Sequence, residues 1–316
     1  MLNAHTGIVA LTDSMRARNP KFSVVVATRA RLPQLQACLH SIANLRYPRE
    51  QFEVVVVNDG SPPLPEGALR AFRDRLDVRC IDQLWAGPAA ARNNGASHAR
   101  GELIAFTDDD CTVAPDWLTV FEQALREQPE ALVGGSPRNA VEADIFASAS
   151  QLLVDYLYEY YHSRTDSRGP RFFSSNNMCA RADLLRQLGP FDTSFRLPAG
   201  EDRDLCDRWT FAGRPLRYCP QAIVHHWHRM SLRPFTRQHL NYGRGAMVFH
   251  AARARRQNSR LRIEPLRFYA GLVTYPLSKV GGIRGALLVA LLGWSQVMNA
   301  VGYFLEKAKS RRGGKA

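Results

Sequence analysis

Three consecutive carboxylates, Asp108, Asp109 and Asp110, follow directly on the mostly apolar run Leu103-Ile104-Ala105-Phe106-Thr107. Adjacent acids repel one another, so a strand ending in three of them is unfavourable unless a cation offsets the charge. Alternate residues of an extended chain share a side. Asp108 and Asp110 therefore point the same way and could share one divalent metal and its phosphate ligands. The plain alternative for an isolated acidic triplet is a solvated turn. Asp59 ends a second apolar run, Phe52-Glu53-Val54-Val55-Val56-Val57, and Gly60 follows it. A carboxylate there can accept hydrogen bonds from a ribose or a base, and the glycine lets a ligand approach the backbone. Glu201 and Asp202 open a helical stretch after Gly200. Acids in a first turn complement the helix dipole, which is the bland reading; a general base is the functional one. Ile223-Val224 runs into His225, His226 and His228. His226 and His228 share a side of an extended segment, so one imidazole could complete a metal site with Asp110.

The surrounding elements are those of an open α/β sheet. Residues 22–27 form an apolar strand and residues 28–31 a polar loop. Leu32, Leu35, Leu39 and Ile42 then recur at helical spacing, Pro48 closes that element, and the strand ending at Asp59 follows. Strand, helix and strand in so short a span make a βαβ unit of a parallel sheet. No glycine-rich turn follows the first strand, so any nucleotide is held by a route other than the dinucleotide one. Small residues over 88–96 open the helix before the acidic strand, with Arg92 facing either a phosphate or solvent. Pro115 precedes a helix carrying Leu118, Phe121 and Leu125, and 132–135 is a short strand. Residues 7–11 read as a short edge strand. The span 141–172 reads as mostly helical, its tyrosines (156, 158, 160, 161) serving either core packing or an acceptor. A strand follows Phe172 and a helix starts at Ala182.

Taken in order, VVVATRARLPQLQACLHSI, VVVVNDGS, AARNNGA, FTDDDC, SSNNMCARADLLRQLGPFD and GEDRDLCDRW resemble the inverting family-2 glycosyltransferases, in a bacterial membrane-associated form. The resemblance implies a GT-A nucleotide-sugar-binding fold with a mainly parallel central sheet over 1–230. It implies a nucleotide-sugar donor, UDP-linked or GDP/dTDP-linked, and a Mn2+ or Mg2+ ion. By that resemblance Ala27, Thr28, Arg31, Asp59, Arg92, Asp108 and Asp109 fall on the donor side, and Asp110 and His226 on the metal. Asp202 becomes the catalytic base, with Glu201 orienting an acceptor hydroxyl or holding the loop. Residue type alone does not separate these two neighbours. A nucleotidyltransferase would want a more basic loop near residue 30, and an inactive scaffold would have lost acids at 59, 110 or 202.

Composition bounds the rest. Lysine and arginine number 42 against 29 acids, a formal charge of +13, and the arginines crowd after about residue 228. Such a balance suits nucleic acid, an anionic membrane or phosphorylated substrates. No nucleic-acid module accompanies it, so nucleic acid is not expected as a partner. The six cysteines are dispersed without a CxxC, which argues against a zinc site or a disulfide framework and for a reducing compartment. No apolar signal stretch precedes the first strand; Arg16, Arg18 and Lys21 lead into it. Residues 231–316 read as a basic and apolar helical region for membrane attachment. Residues 285–305 carry no charge, and Lys307, Lys309, Arg311, Arg312 and Lys315 follow. Basic groups at both ends disfavour a simple single span and favour an interfacial helix, or a hairpin with 268–283. The positive-inside tendency puts the chain on the cytoplasmic face, acting on a lipid-linked or envelope glycan acceptor. A homo-oligomer remains open.

Overall fold

A computed structural model of the protein describes residues 20–65, 67–162, 172–195, 197–257 and 264–313. The expected edge strand at 7–11 lies outside them. The described chain divides into two compact units. The first takes the described parts of Met1–Pro137, Phe173–Thr193 and Arg208–His225, and the second those of Arg138–Phe172, Ser194–Asp207 and His226–Ala316.

The first unit is built on strands β1 (Phe22–Thr28), β2 (Phe52–Asp59), β3 (Asp77–Gln83), β4 (Leu103–Asp108), β5 (Cys111–Val113), β6 (Leu132–Asn139), β7 (Met178–Arg181) and β8 (Leu216–His226). The sheet order is β3-β2-β1-β4-β7-β6-β8-β5. β1 pairs in parallel with β2 and β4, and β2 with β3, whereas β7 runs antiparallel to both β4 and β6. β1 and β2 are buried on both faces, as their unbroken valine runs require. Helices α1 (Leu32–Ala43), α2 (Arg70–Arg73), α3 (Pro88–Ser97), α4 (Trp117–Glu127) and α6 (Ala182–Leu188) belong to this unit, whereas α5 (Ile145–His162) falls in the second. Leu35, Leu39 and Ile42 of α1 and Trp117, Leu118 and Phe121 of α4 share one core with Val24, Val54 and Ala105 of the sheet. Each such buried side chain contributes about 1.5–3 kcal/mol relative to exposure.

Register matters more for function than the core does. Thr28 lies opposite Asn58, and Ala27 opposite Asp108, so β1, β2 and β4 end side by side. That common carboxyl end is where open parallel sheets bind ligands.

The second unit is helical: α5 (Ile145–His162), the start of α7 (Glu201–Phe211), α8 (Leu232–Gln257), α9 (Leu266–Lys279) and α10 (Gly282–Gly313). The tyrosines of α5 turn out to pack. Tyr156 donates its hydroxyl to the Phe268 carbonyl (2.7 Å) and Tyr161 to Glu264 (2.7 Å), with Tyr156, Tyr160 and Tyr161 ringed about Phe268.

Candidate active site

At the carboxyl end of the parallel strands each acid of the triplet is met by an arginine. Arg31, the last residue before α1, bridges two of them. Its Nε donates to Asp109 Oδ2 (3.1 Å), one terminal nitrogen lies 2.5 Å from Asp109 Oδ1, and the other donates to Asp110 Oδ2 (2.7 Å). Thr28, at the end of β1, donates its hydroxyl to Asp109 Oδ2 (2.6 Å). Arg92 of α3 is buried and donates to Asp108 Oδ1 (2.8 Å) while its guanidinium lies over the Phe191 ring. The triplet is thus unequal. The Asp109 side chain is fully buried, Asp110 nearly so, and a quarter of Asp108 reaches solvent. Asp109 faces its own protein, and its visible work is to hold Arg31 and Thr28.

Asp59 is also committed locally. Its Oδ1 accepts from Gln83 Nε2 (2.9 Å) and the Ala86 N–H (2.8 Å), and its Oδ2 accepts from the Gly87 N–H (3.0 Å). This carboxylate pins the turn into α3, where Gly87 at φ +91° takes a conformation that a side chain would resist. Ala27 packs beside Val55, Val57 and Ala91, a small residue under α3. Burial pushes the Cys38 and Cys111 thiols well above their usual range, so neither is a nucleophile at neutral pH.

Burial also raises the Asp109 carboxyl to about 6, against its ordinary 3.8, even with Arg31 and the Thr28 hydrogen bond pulling it down. The folded protein therefore holds this proton to higher pH than the unfolded chain does. Ionising Asp109 costs nothing below about pH 4, increasingly more up to about pH 6, and then about 3 kcal/mol in full. Asp109→Asn removes that cost. At pH 7 the variant should be as stable as the parent or more so, and the gap should close as the pH falls towards 4. Urea denaturation of both proteins across that range checks this; a variant clearly weaker than the parent at pH 7 would contradict it. Transfer should fall all the same, because Arg31 loses its ion pair with Asp109 and, among the described residues, pairs with Asp110 alone.

In the second unit, Gly200 at φ +93° leads into α7. The acids of its first turn have separate surroundings. Glu201 is buried; Asp202 is half-buried and its Oδ1 accepts from the Arg203 N–H (2.8 Å). Asp204 and Asp207 are buried and paired with Arg256 of α8 (2.9 and 2.6 Å), Asp207 also with Arg253 (3.2 Å). The clamp of Asp204 and Asp207 on α8 was not anticipated from sequence. The signal for it was present in acids three apart on one helix and arginines three apart on another. His226 is the last residue of β8; its carbonyl accepts from the Ala140 N–H (3.0 Å) and its ring meets that of His228 edge-on at 5.1 Å.

The fold is the GT-A fold of glycosyltransferases. A mannosyltransferase from Pyrobaculum calidifontis, solved with GDP-Man and Mn2+, superimposes with a TM-score of 0.61 over 98% of this chain and 95% of its own, at 18% identity. Residues 23–189 match the glycosyl transferase family 2 profile, and the chain belongs to that family. Glycosyltransferase AglE of Haloferax volcanii is 27% identical over 67% of this chain and 68% of its own length. A pre-mycofactocin glycosyltransferase of Mycobacterium tuberculosis is 30% identical over 71% of this chain; the match spans 46% of that relative's length. The protein is a glycosyltransferase.

Proposed function

We propose that the protein transfers a sugar, with inversion, from a nucleotide-sugar donor to a lipid-linked or envelope glycan acceptor at the cytoplasmic face of a membrane. The observation that carries the reading is the acidic triplet at the aligned ends of β1, β2 and β4, matched by Arg31 and Arg92. Thr28, Asp59 and the turn held by Asp59 cradle the nucleoside, and Asp108 takes the ribose or sugar side. Asp109 acts by holding Arg31, whose exposed part offers donors to a diphosphate.

The donor set fits a divalent ion of the Mg2+ or Mn2+ kind. Asp110 would supply a hard carboxylate oxygen and His226 an imidazole, ligand types such ions accept. When bound, such an ion would offset charge building on the departing diphosphate. The other steps belong to the chain. The acceptor hydroxyl attacks the anomeric carbon, Asp202 takes its proton, and the bond to the diphosphate oxygen breaks with both electrons leaving on the nucleoside diphosphate. One displacement inverts the centre. Asp202 suits the role better than Glu201, since it is the more accessible of the two carboxylates.

The donor is expected to be UDP-linked or GDP/dTDP-linked. The test is a panel of nucleotide sugars with Mn2+ or Mg2+, scored for nucleoside diphosphate release. Activity should appear with one donor class, vanish on chelation and return with metal. Full transfer by thoroughly metal-free protein would remove the metal from the scheme.

A further inference from the structure

The helical unit turns a broad apolar face to solvent. Along α10 the buried positions Gly285, Leu288, Leu292, Ser295 and Gly302 recur every three or four residues, or a multiple of a turn, and so mark one side. Ile283, Leu287, Trp294, Val297, Val301 and Phe304 line the other, with Ile283 at 83% and Phe304 at 64% exposure. α9 adds Leu266, at 88%, with Tyr269, Val273 and Leu277, and Val280 follows its end. The two helices join at Gly281 and Gly282, both at positive φ, and pack where Gly285 meets Leu277.

Length and composition alone would let α10 cross a bilayer: an 18-residue window within Gly282–Arg311 reaches a mean hydropathy of 1.4. Its buried side argues otherwise. A Cβ on Gly243 of α8 would collide with the Asn299 carbonyl, and one on Gly302 with the Leu240 carbonyl, so α8 and α10 touch backbone to backbone. Trp294, 42% exposed and at the edge of the apolar face, reaches back to donate its Nε1 to Thr236 Oγ1 of α8 (3.0 Å). α8 itself carries Arg233, Arg237, Arg244, Arg253, Arg255 and Arg256. So charged a helix cannot enter hydrocarbon, and α10 cannot leave it without exposing this joint.

We propose that the exposed face of α9 and α10 lies flat in the headgroup–acyl boundary of an anionic bilayer, anchoring the protein in the plane without spanning it. The proposal rests on the membrane-attached reading given above. Lipid is favoured over a second copy by charge. Arg267, Lys309 and Arg311 are exposed beside the face, and the chain carries +13, so an anionic surface attracts what another copy repels. Aromatic Tyr269, Trp294 and Phe304 suit the headgroup level.

The test uses the full chain and no sugar donor, so it stands or falls separately from transfer. Cys80 is the one cysteine not buried among the six, and Cys80→Ser gives a quiet background for nitroxide labels. Labels are placed singly at Leu287→Cys, Val297→Cys and Phe304→Cys, with vesicles of phosphatidylcholine containing about 30% phosphatidylglycerol as the probe. Oxygen and nickel-complex accessibility then report depth. In-plane docking predicts three similar depths, about 5–10 Å below the headgroups. A span predicts depths that differ by most of the helix rise, about 25 Å between Leu287 and Phe304, and would overturn the proposal. The double substitution Leu287→Glu with Phe304→Glu should keep the helical signal and thermal midpoint while lowering vesicle co-flotation at least ~10-fold. Phe211→Glu, an exposed apolar site elsewhere, should not. Absence of the parent from floated vesicles, or dimers that the double substitution dissolves, would also overturn it.

Discussion

Exchange of Asp202 for asparagine is expected to lower sugar transfer about 10²–10⁴-fold, the usual worth of a positioned base. The change keeps shape and removes only the proton acceptor. Asp204 and Asp207 pair with Arg253 and Arg256 and so fasten α7 to α8. The Oδ1 of Asp202 accepts from the Arg203 N–H, a bond an asparagine oxygen can keep. Thermal midpoints measured beside transfer separate lost chemistry from lost stability. Glu201→Gln is the necessary companion. Glu201 is buried at the same helix start, and a collapse in that variant with near-normal transfer by Asp202→Asn would move the base one residue back.

Asp110→Ala should behave differently. Removing this carboxylate takes away the proposed metal ligand, so donor binding and turnover should both fall, transfer on the order of 10³-fold if several kcal/mol of charge stabilisation are lost. Folding should suffer little, because Arg31 keeps its two contacts to Asp109 and is itself partly solvated. Added Mn2+ should rescue the parent after chelation and fail to rescue the variant. Donor binding that is unchanged in Asp110→Ala would take the metal away from this residue.

Much of the first unit could be read from the chain. Valine runs at 24–26 and 54–57 announce parallel strands buried on both faces, and Leu35, Leu39 and Ile42 announce the helix between them. β3 could not be read so. Asp77–Gln83 holds no apolar run because it is a half-exposed edge strand, and its pairing with β2 comes from register, not periodicity. β5 is too short to show a pattern. Within the site, residue types pointed to the acids, but not to their partners. The bonds from Arg31 to Asp109 and Asp110 and from Thr28 to Asp109 join residues far apart in the chain. No local spacing encodes them. The same limit hid the difference between Asp109, sealed inside, and Asp108, partly open. The tyrosines of α5 stayed ambiguous because an aromatic stripe reads alike whether it meets a core or a ligand; only the placement of Phe268 decides for packing.

The central claim is that donor holding and proton removal are separate tasks, given to Asp110 and Asp202. Calorimetric titration of the active nucleotide sugar in the presence of Mn2+, set beside transfer rates for the parent, Asp202→Asn and Asp110→Ala, tests it most directly. The account predicts donor affinity within about threefold of the parent for Asp202→Asn with transfer nearly abolished, and loss of both for Asp110→Ala. Near-normal transfer by both Asp202→Asn and Glu201→Gln would contradict it and leave the start of α7 without a catalytic role.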